Sequence, residues 1–277
     1  MKLAFTTLGC PDWDIDTIVR RACEYGFDGV DFRGYRGHLN LWELPEFRED
    51  VRETAGRFHG AGLDVPCLSS SARLFGDKET MKAARDEVRH FLDLANVFGS
   101  RYVRVFGGDT GETDVEQAIP PAAATLADLA AMARDYGVRI LVETHDAWTA
   151  SANMAALLAA AQSDNVGVVW DMDNQYWAEG ESPDQTWKTI GAHIRYMHWK
   201  DSVRDTESER GYTHCLVGEG ELPHADYLRC LLNGGYDGYL TLEWEKKWCP
   251  YLAEPEVAFP AYVTFMRGLL ADVRGGA

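Results

Sequence analysis

One phrase repeats along the chain: a stretch with apolar residues at helical spacing ends at a glycine, and a short apolar run begins a few residues later. Gly26, Gly62, Gly99, Gly137 and Gly235 each introduce one such run. Glycine takes the left-handed conformation that closes a helix, and a short loop then returns the chain to a sheet. The first four glycines recur about every 37 residues, the length of one strand, one crossover helix and two loops. Filling the intervals predicts eight strands, at 3–6, 30–33, 65–69, 102–106, 140–143, 166–171, 194–200 and 239–245. The segments between them are amphipathic, as in Ile15, Ile18, Val19 and Ala22, or Leu126, Leu129, Ala130 and Ala133. The strand runs are nearly continuous, the mark of parallel strands covered on both faces.

This alternation predicts an α/β fold, a single (β/α)8 TIM barrel over residues 1–277. The 277 residues suit one such barrel, which takes about 250, and no linker or low-complexity tract divides them. The competing fold, an open doubly wound sheet, would carry a glycine-rich phosphate loop after the first strand, and Thr7-Leu8-Gly9-Cys10-Pro11 is not one.

With 46% hydrophobic and 26% charged residues, the composition is that of a soluble globular protein. No run approaches the roughly 18 apolar residues of a membrane span. The amino terminus enters a strand-like segment without the basic and then apolar stretches of a secretory signal, which predicts a cytoplasmic protein with no membrane partner. Six scattered cysteines without a C-x-x-C pair fit reduced thiols. A formal net charge of −17 repels polyanions, and no basic cluster offsets it, so nucleic acid is not an expected partner.

The candidate chemistry lies where the strands stop. The fifth to eighth predicted strands meet Glu143, Asp171, His198 and Glu243, and in α/β barrels the chemistry collects at the carboxyl ends of the strands. Three carboxylates and one imidazole are therefore expected to converge on one divalent ion. Without a cation the carboxylates would repel one another and take up protons. An oxygen-rich set with one histidine suits Mn²⁺ first, with Mg²⁺, Co²⁺ or Zn²⁺ as alternatives, rather than a structural zinc site. Strand alternation adds a check: if His198 faces the lumen so does Lys200, while Trp199, Trp170 and Trp244 face the helices. Singly, each residue has a structural reading, Glu143 or Glu243 paired with Arg104 or Lys200 and His198 as a core histidine. Four on consecutive strand ends favour the metal. Asp173 competes with Asp171, because on a continuing strand it would share its parity, but one position is enough and Asp171 is favoured.

These residues resemble the sugar isomerases and epimerases of the xylose isomerase-like TIM barrel superfamily, which includes ketose 3-epimerases, hydroxypyruvate isomerases and inosose dehydratases. The resemblance covers essentially the whole chain. In the ketose epimerases a Glu, an Asp, a His and a Glu hold the metal, matching Glu143, Asp171, His198 and Glu243. The His-x-x-x-x-x-Arg spacing after the seventh strand is present as His198 and Arg204, and Gly218-Glu219-Gly220 looks like the loop that follows. The resemblance implies that Glu143 and Glu243 also form the catalytic pair, one removing a proton beside a carbonyl to form an enediolate and the other returning a proton from the opposite face. A divalent ion supplies the Lewis acid. One departure is the Asp-x-x-His of many epimerases, which here reads Asp171-Met172-Asp173-Asn174. Asn174 can hydrogen-bond a substrate but cannot titrate.

Further candidate substrate contacts are His145, Lys200 and Arg204, with Arg33 and Arg104 at the second and fourth strand ends. Trp13, Trp148 and Trp177 fall in loops where they can stack on a sugar or anchor the loop. Gly218-x-Gly220 is too short and acidic for a phosphate cradle, so a phosphorylated substrate is disfavoured. The segment 244–257 is expected to wrap the mouth, and its aromatic and charged character equally suits a homo-oligomer contact. The sequence thus predicts a divalent-metal isomerase or epimerase of a small unphosphorylated ketose or keto-polyol. The nearest alternative is a dehydratase of an inosose or 3-keto-sugar, then a non-catalytic sugar-binding barrel or partner subunit. An apurinic endonuclease of the same superfamily is disfavoured, because of eight histidines only His198 stands clearly at a strand end.

Overall fold

The computed structural model describes residues 1–275, so the last two residues of the expected 1–277 domain lie outside the described residues. Ten strands occur in chain order: β1 (Lys2–Thr6), β2 (Gly29–Asp31), β3 (Cys67–Arg73), β4 (Tyr102–Phe106), β5 (Arg139–Glu143), β6 (Val166–Asp171), β7 (Ile194–Trp199), β8 (Ser202–Arg204), β9 (Tyr212–His214) and β10 (Tyr239–Leu242). Eight form one parallel sheet in the order β2-β1-β10-β7-β6-β5-β4-β3. Parallel bridges from Gly29 to Asp64 and from Phe32 to Leu68 bring β2 against β3 and close the ring. This is the single (β/α)8 barrel the sequence predicts.

The helices are α1 (Ile15–Tyr25), α2 (Val51–Gly60), α3 (Lys78–Phe98), α4 (Val115–Arg134), α5 (Ser151–Ala161), α6 (Met172–Glu179), α7 (Pro183–Ile190), α8 (His224–Asn233) and α9 (Pro255–Gly275). Asp14 and Asp77 cap α1 and α3 by accepting the amides of Thr17 and Thr80, each at 2.8 Å. Gly26 and Gly99 close the same two helices at φ of 84° and 71°, a region where a Cβ is costly. The other three glycines of the repeated phrase are also left-handed. Among the described residues no helix is long and apolar enough to cross a membrane, and all six cysteines are free thiols.

Two apolar layers sit on either side of the strands. The large one, between sheet and helices, buries Trp170, Trp199 and Trp244 as alternation requires. The small one, Cys67, Leu141, Val169 and Tyr196, plugs the lumen, with Tyr102 and Tyr239 packed against it. Polar groups at the carboxyl ends of the strands therefore rest on an apolar floor.

β2 ends at Asp31 rather than residue 33, and three further elements differ from the sequence reading. β3 starts at Cys67 rather than residue 65, because Pro66 has no N–H to offer the ladder. It continues to Arg73 because Ser70 Oγ donates to the Arg104 carbonyl at 2.7 Å and Glu87 accepts the Ser71 amide. The eighth barrel strand stops at Leu242, not 245, although the Glu243 amide still donates to the Trp199 carbonyl at 3.1 Å. The antiparallel hairpin β8–β9, paired from Ser202–His214 to Arg204–Tyr212, was not expected. Its strands are short and polar, without an alternating signal.

Candidate metal centre

Alternation places Glu143, Asp171, His198 and Glu243 on the lumen side of adjacent strands, Asp171 opposite His198 in the β6–β7 register. All four are buried, and each offers one ligand atom within 4.8 Å of the others. His198 Nδ1 lies 2.9 Å from Glu143 Oε1 and 3.4 Å from Glu243 Oε2. Glu143 Oε2 and Asp171 Oδ2 are buried with no hydrogen-bond partner. That arrangement fits a divalent cation: three hard carboxylates and one imidazole, with two of the carboxylate oxygens met only by the charges of Arg104 and Lys200.

Cations already surround the cluster. Lys200 Nζ lies 2.8 Å from Asp171 Oδ2, 2.7 Å from Glu243 Oε2 and 2.8 Å from Glu245 Oε1. Arg104, fully buried, stands 3.1 Å from Glu143 Oε2, an ion pair whose alignment falls short of a hydrogen bond. Burial alone would raise the Glu143 carboxyl, but Arg104 and His198 outweigh it and bring it down to about 2. Burial is likewise outweighed at Glu243, by His198 and Lys200, and that carboxyl falls well below its usual range. Burial wins at Asp171, raising it to about 6 against the pull of Lys200. At His198 burial disfavours the cation, yet Glu243 and Glu143 push the ring well above its usual value.

Asp171 also begins α6, Oδ1 accepting the amides of Asp173 and Asn174 at 3.0 Å each. The strand ends at Asp171, as expected, and the chain turns into a helix at Met172, so Asp173 does not share the alternation of Asp171. Asp173 is buried beside this carboxylate and histidine cluster and accepts a hydrogen bond from Ser202 Oγ.

Of the candidate substrate contacts, Lys200 joins the cluster as alternation predicts. Asn174 is half-buried beside it, Nδ2 donating to the Thr144 carbonyl at 3.3 Å. His145 pairs with Asp146 at 2.9 Å and packs its ring on Phe106. Arg33 is buried beside Arg104; burial and that neighbour lower it to about 10 against the pull of Glu243 and Glu143. Arg204 is exposed, stacked 5.3 Å over Trp177 rather than on the cluster. Trp13 and Trp148 are core residues, whereas Trp177 stacks on Tyr212 of the hairpin at 5.1 Å.

Sequence reasoning missed three neighbours. Asp31, fully buried at the end of β2, lies 3.8 Å from His198 Nε2 and accepts from Ser69 Oγ at 3.0 Å. Its signal was available, since it is an isolated acid within an apolar run with the parity of Arg33. Glu245 completes the Lys200 cage. His214, carried in by β9, faces Asp173 at 3.7 Å and Glu245 at 3.9 Å, and burial lowers it to about 4. Asp201 anchors the following loop: it accepts the amides of Gly218 and Gly220 at 2.8 Å each and lies 2.8 Å from His224 Nε2. His224 Nδ1 in turn accepts from Trp199 Nε1 at 3.0 Å.

Comparison with known proteins agrees with this architecture. The fructoselysine 3-epimerase of Escherichia coli O157:H7 is 22% identical over 287 aligned positions, covering 98% of this chain and 99% of the relative. The fold matches a solved L-ribulose 3-epimerase with a TM-score of 0.81 at 18% identity, over 99% of this chain and 96% of the other. It also matches the probable 3-DHS dehydratase AsbF of Bacillus anthracis with a TM-score of 0.79 at 17% identity, over 96% of this chain and 99% of the other. A family model described as xylose isomerase-like TIM barrel matches residues 19–268, and the chain belongs to that family.

Proposed function

We propose that this chain is a divalent-metal-dependent isomerase or epimerase acting on a small unphosphorylated ketose or keto-polyol. The observation that carries the reading is the convergence of Glu143, Asp171, His198 and Glu243 within 4.8 Å at the end of a barrel lumen. Mn²⁺ is the ion this set suits best, with Mg²⁺, Co²⁺ or Zn²⁺ as alternatives. When bound, such an ion polarises a substrate carbonyl and its neighbouring hydroxyl, acidifying the C–H between them.

The protein's own groups supply the rest. Glu143 and Glu243 are held ionised, Glu143 by Arg104 and His198 and Glu243 by His198 and Lys200, so either can accept a carbon-bound proton. One removes the proton to leave an enediolate, and the other, itself ionised at rest, takes up a proton from solvent and returns it from the opposite face. Lys200 keeps Asp171, Glu243 and Glu245 in one geometry, with its ammonium beside the developing negative charge. His145, Asn174, Arg33, Arg104 and Arg204 are the candidates for positioning substrate oxygens. The full-length similarity to a fructoselysine 3-epimerase supports the epimerase reading. Asn174 gives the dehydratase reading its specific support, because the position lacks a titratable ring. There the same base takes a proton beside the ketone and a β-hydroxyl leaves as water.

The test is NMR of the Mg²⁺-loaded protein in D₂O with a panel of ketoses, ketoacids and inososes. Deuterium beside the carbonyl together with a new stereoisomer or aldose is expected. Exchange with loss of water would assign the dehydratase, and tight binding without exchange a binding barrel. Glu143→Gln and Glu243→Gln should each abolish exchange with metal still bound; wild-type turnover in both would rule out the two-glutamate scheme.

A further inference from the structure

At the amino ends of the barrel strands, opposite the metal centre, lies a cavity of about 870 Å³. Its volume is that of a small-molecule site. The plug of Cys67, Leu141, Val169 and Tyr196 separates it from the metal cluster. Its walls combine aromatic side chains, Tyr102, Tyr239 and Trp187, with the cations Lys2, Arg101 and Arg195.

The charge there runs against the rest of the molecule. The chain carries a net −17, yet among the described residues neither Arg101, Arg195 nor the adjacent Arg139 has a carboxylate within 4.0 Å. Burial and the nearby Arg139 both lower the Arg195 guanidinium, as expected of like charges without a counterion. Arg139 Nε is buried with no hydrogen-bond partner. Two carboxylates line the cavity. Asp64 is already held by Lys2 at 2.6 Å and by the Tyr239 hydroxyl, and Asp237 is exposed.

Local backbone geometry sets this arrangement. Val168 pairs with Ile194 and Val169 with Tyr196, so Arg195 occupies an irregularity between β6 and β7. Such bulges re-aim a side chain. Gly167 makes room beside it: a Cβ there would stand 3.0 Å from Arg195 Cγ and 2.8 Å from Leu141 Cδ2.

We propose that this cavity binds a small organic oxyanion, a phosphate monoester or a carboxylate on a planar body. Arg101 and Arg195 hold the anion, whose two acceptor oxygens suit guanidinium forks, and the tyrosines and Trp187 flank the body. The site is independent of the metal centre and of the reaction assigned to it.

Calorimetric titration of the chelator-treated protein with phenyl phosphate and with benzoate tests this. One equivalent of at least one probe should bind, and the stronger binder identifies the anion class. Arg195→Gln and Arg101→Gln should each weaken that binding by about tenfold or more. Arg101 is exposed, so its variant should fold even if the Arg195 variant does not, as circular dichroism will show. Absence of saturable binding by both probes, or binding undiminished in Arg101→Gln, would overturn the assignment.

Discussion

Asp201 gives the sharpest mutational test, because one carboxylate organises the whole turn after the seventh barrel strand. It accepts the backbone amides of Ser202, Gly218, Gly220 and Leu222, at 2.9, 2.8, 2.8 and 3.3 Å, and lies beside His224. Asparagine keeps the shape but turns one oxygen into a donor, so two amides lose their acceptor, and the His224 ring with them if Oδ2 is the one replaced. Hydrogen bonds to a charged group are worth about 1.5–3 kcal/mol each. Allowing for non-additivity, Asp201→Asn should cost roughly 3–5 kcal/mol, lowering Tm by about 6–10 °C for a domain of this size. The pH dependence has a definite sign. Burial pushes the Asp201 carboxyl up, but His224 and the loop amides outweigh it and hold it below its usual value. A depressed folded pKa means the stabilisation is present above the unfolded carboxylate value of about 3.9 and lost as pH falls through the folded value. Calorimetric melts of wild type and variant from pH 7 downwards should therefore show a gap that closes in acid. A Tm loss under about 2 °C at pH 7, or a gap that widens on acidification, would refute the reasoning.

Lys200→Met should leave Asp171, Glu243 and Glu245 without their shared ammonium, destabilising the metal-free protein by about 3–5 kcal/mol. Added Mn²⁺, which neutralises the same carboxylates, should then raise its Tm by more than it raises that of wild type; equal increments would count against the cage. Asp31→Asn should weaken metal binding by about 10–100-fold with an unchanged circular dichroism spectrum, because Asp31 lies behind His198 Nε2. An unaltered affinity would show that Asp31 does not orient the ring.

The four residues of the candidate metal centre were legible because a buried parallel strand is a nearly uniform apolar run, so the first polar residue after it is conspicuous. The same period of two correctly sent Trp170, Trp199 and Trp244 outward and Lys200 inward. Asp31 escaped because β2 is only three residues long and its single acid reads as a local feature. Glu245 and His214 escaped for a different reason: they reach the cluster through loop geometry, His214 on a hairpin held by three residue pairs. Asp173, the competitor to Asp171, stays out of the four-residue cluster because Asp171 accepts two amides and starts a helix, which ends the alternation. The bottom cavity depends on a bulge and a glycine, neither of which strand periodicity registers.

The central claim is that Glu143, Asp171, His198 and Glu243 form one metal centre. Its most direct test is calorimetric titration of Mn²⁺ into the chelator-treated chain in two buffers of different ionisation enthalpy. Glu243 and Glu143 hold His198 protonated against its burial, and the ring must ligate as neutral imidazole. One Mn²⁺ per chain with release of about one proton near neutral pH, lost in Asp171→Asn and His198→Gln, is the predicted result. No saturable binding, or binding that survives both substitutions, would contradict it.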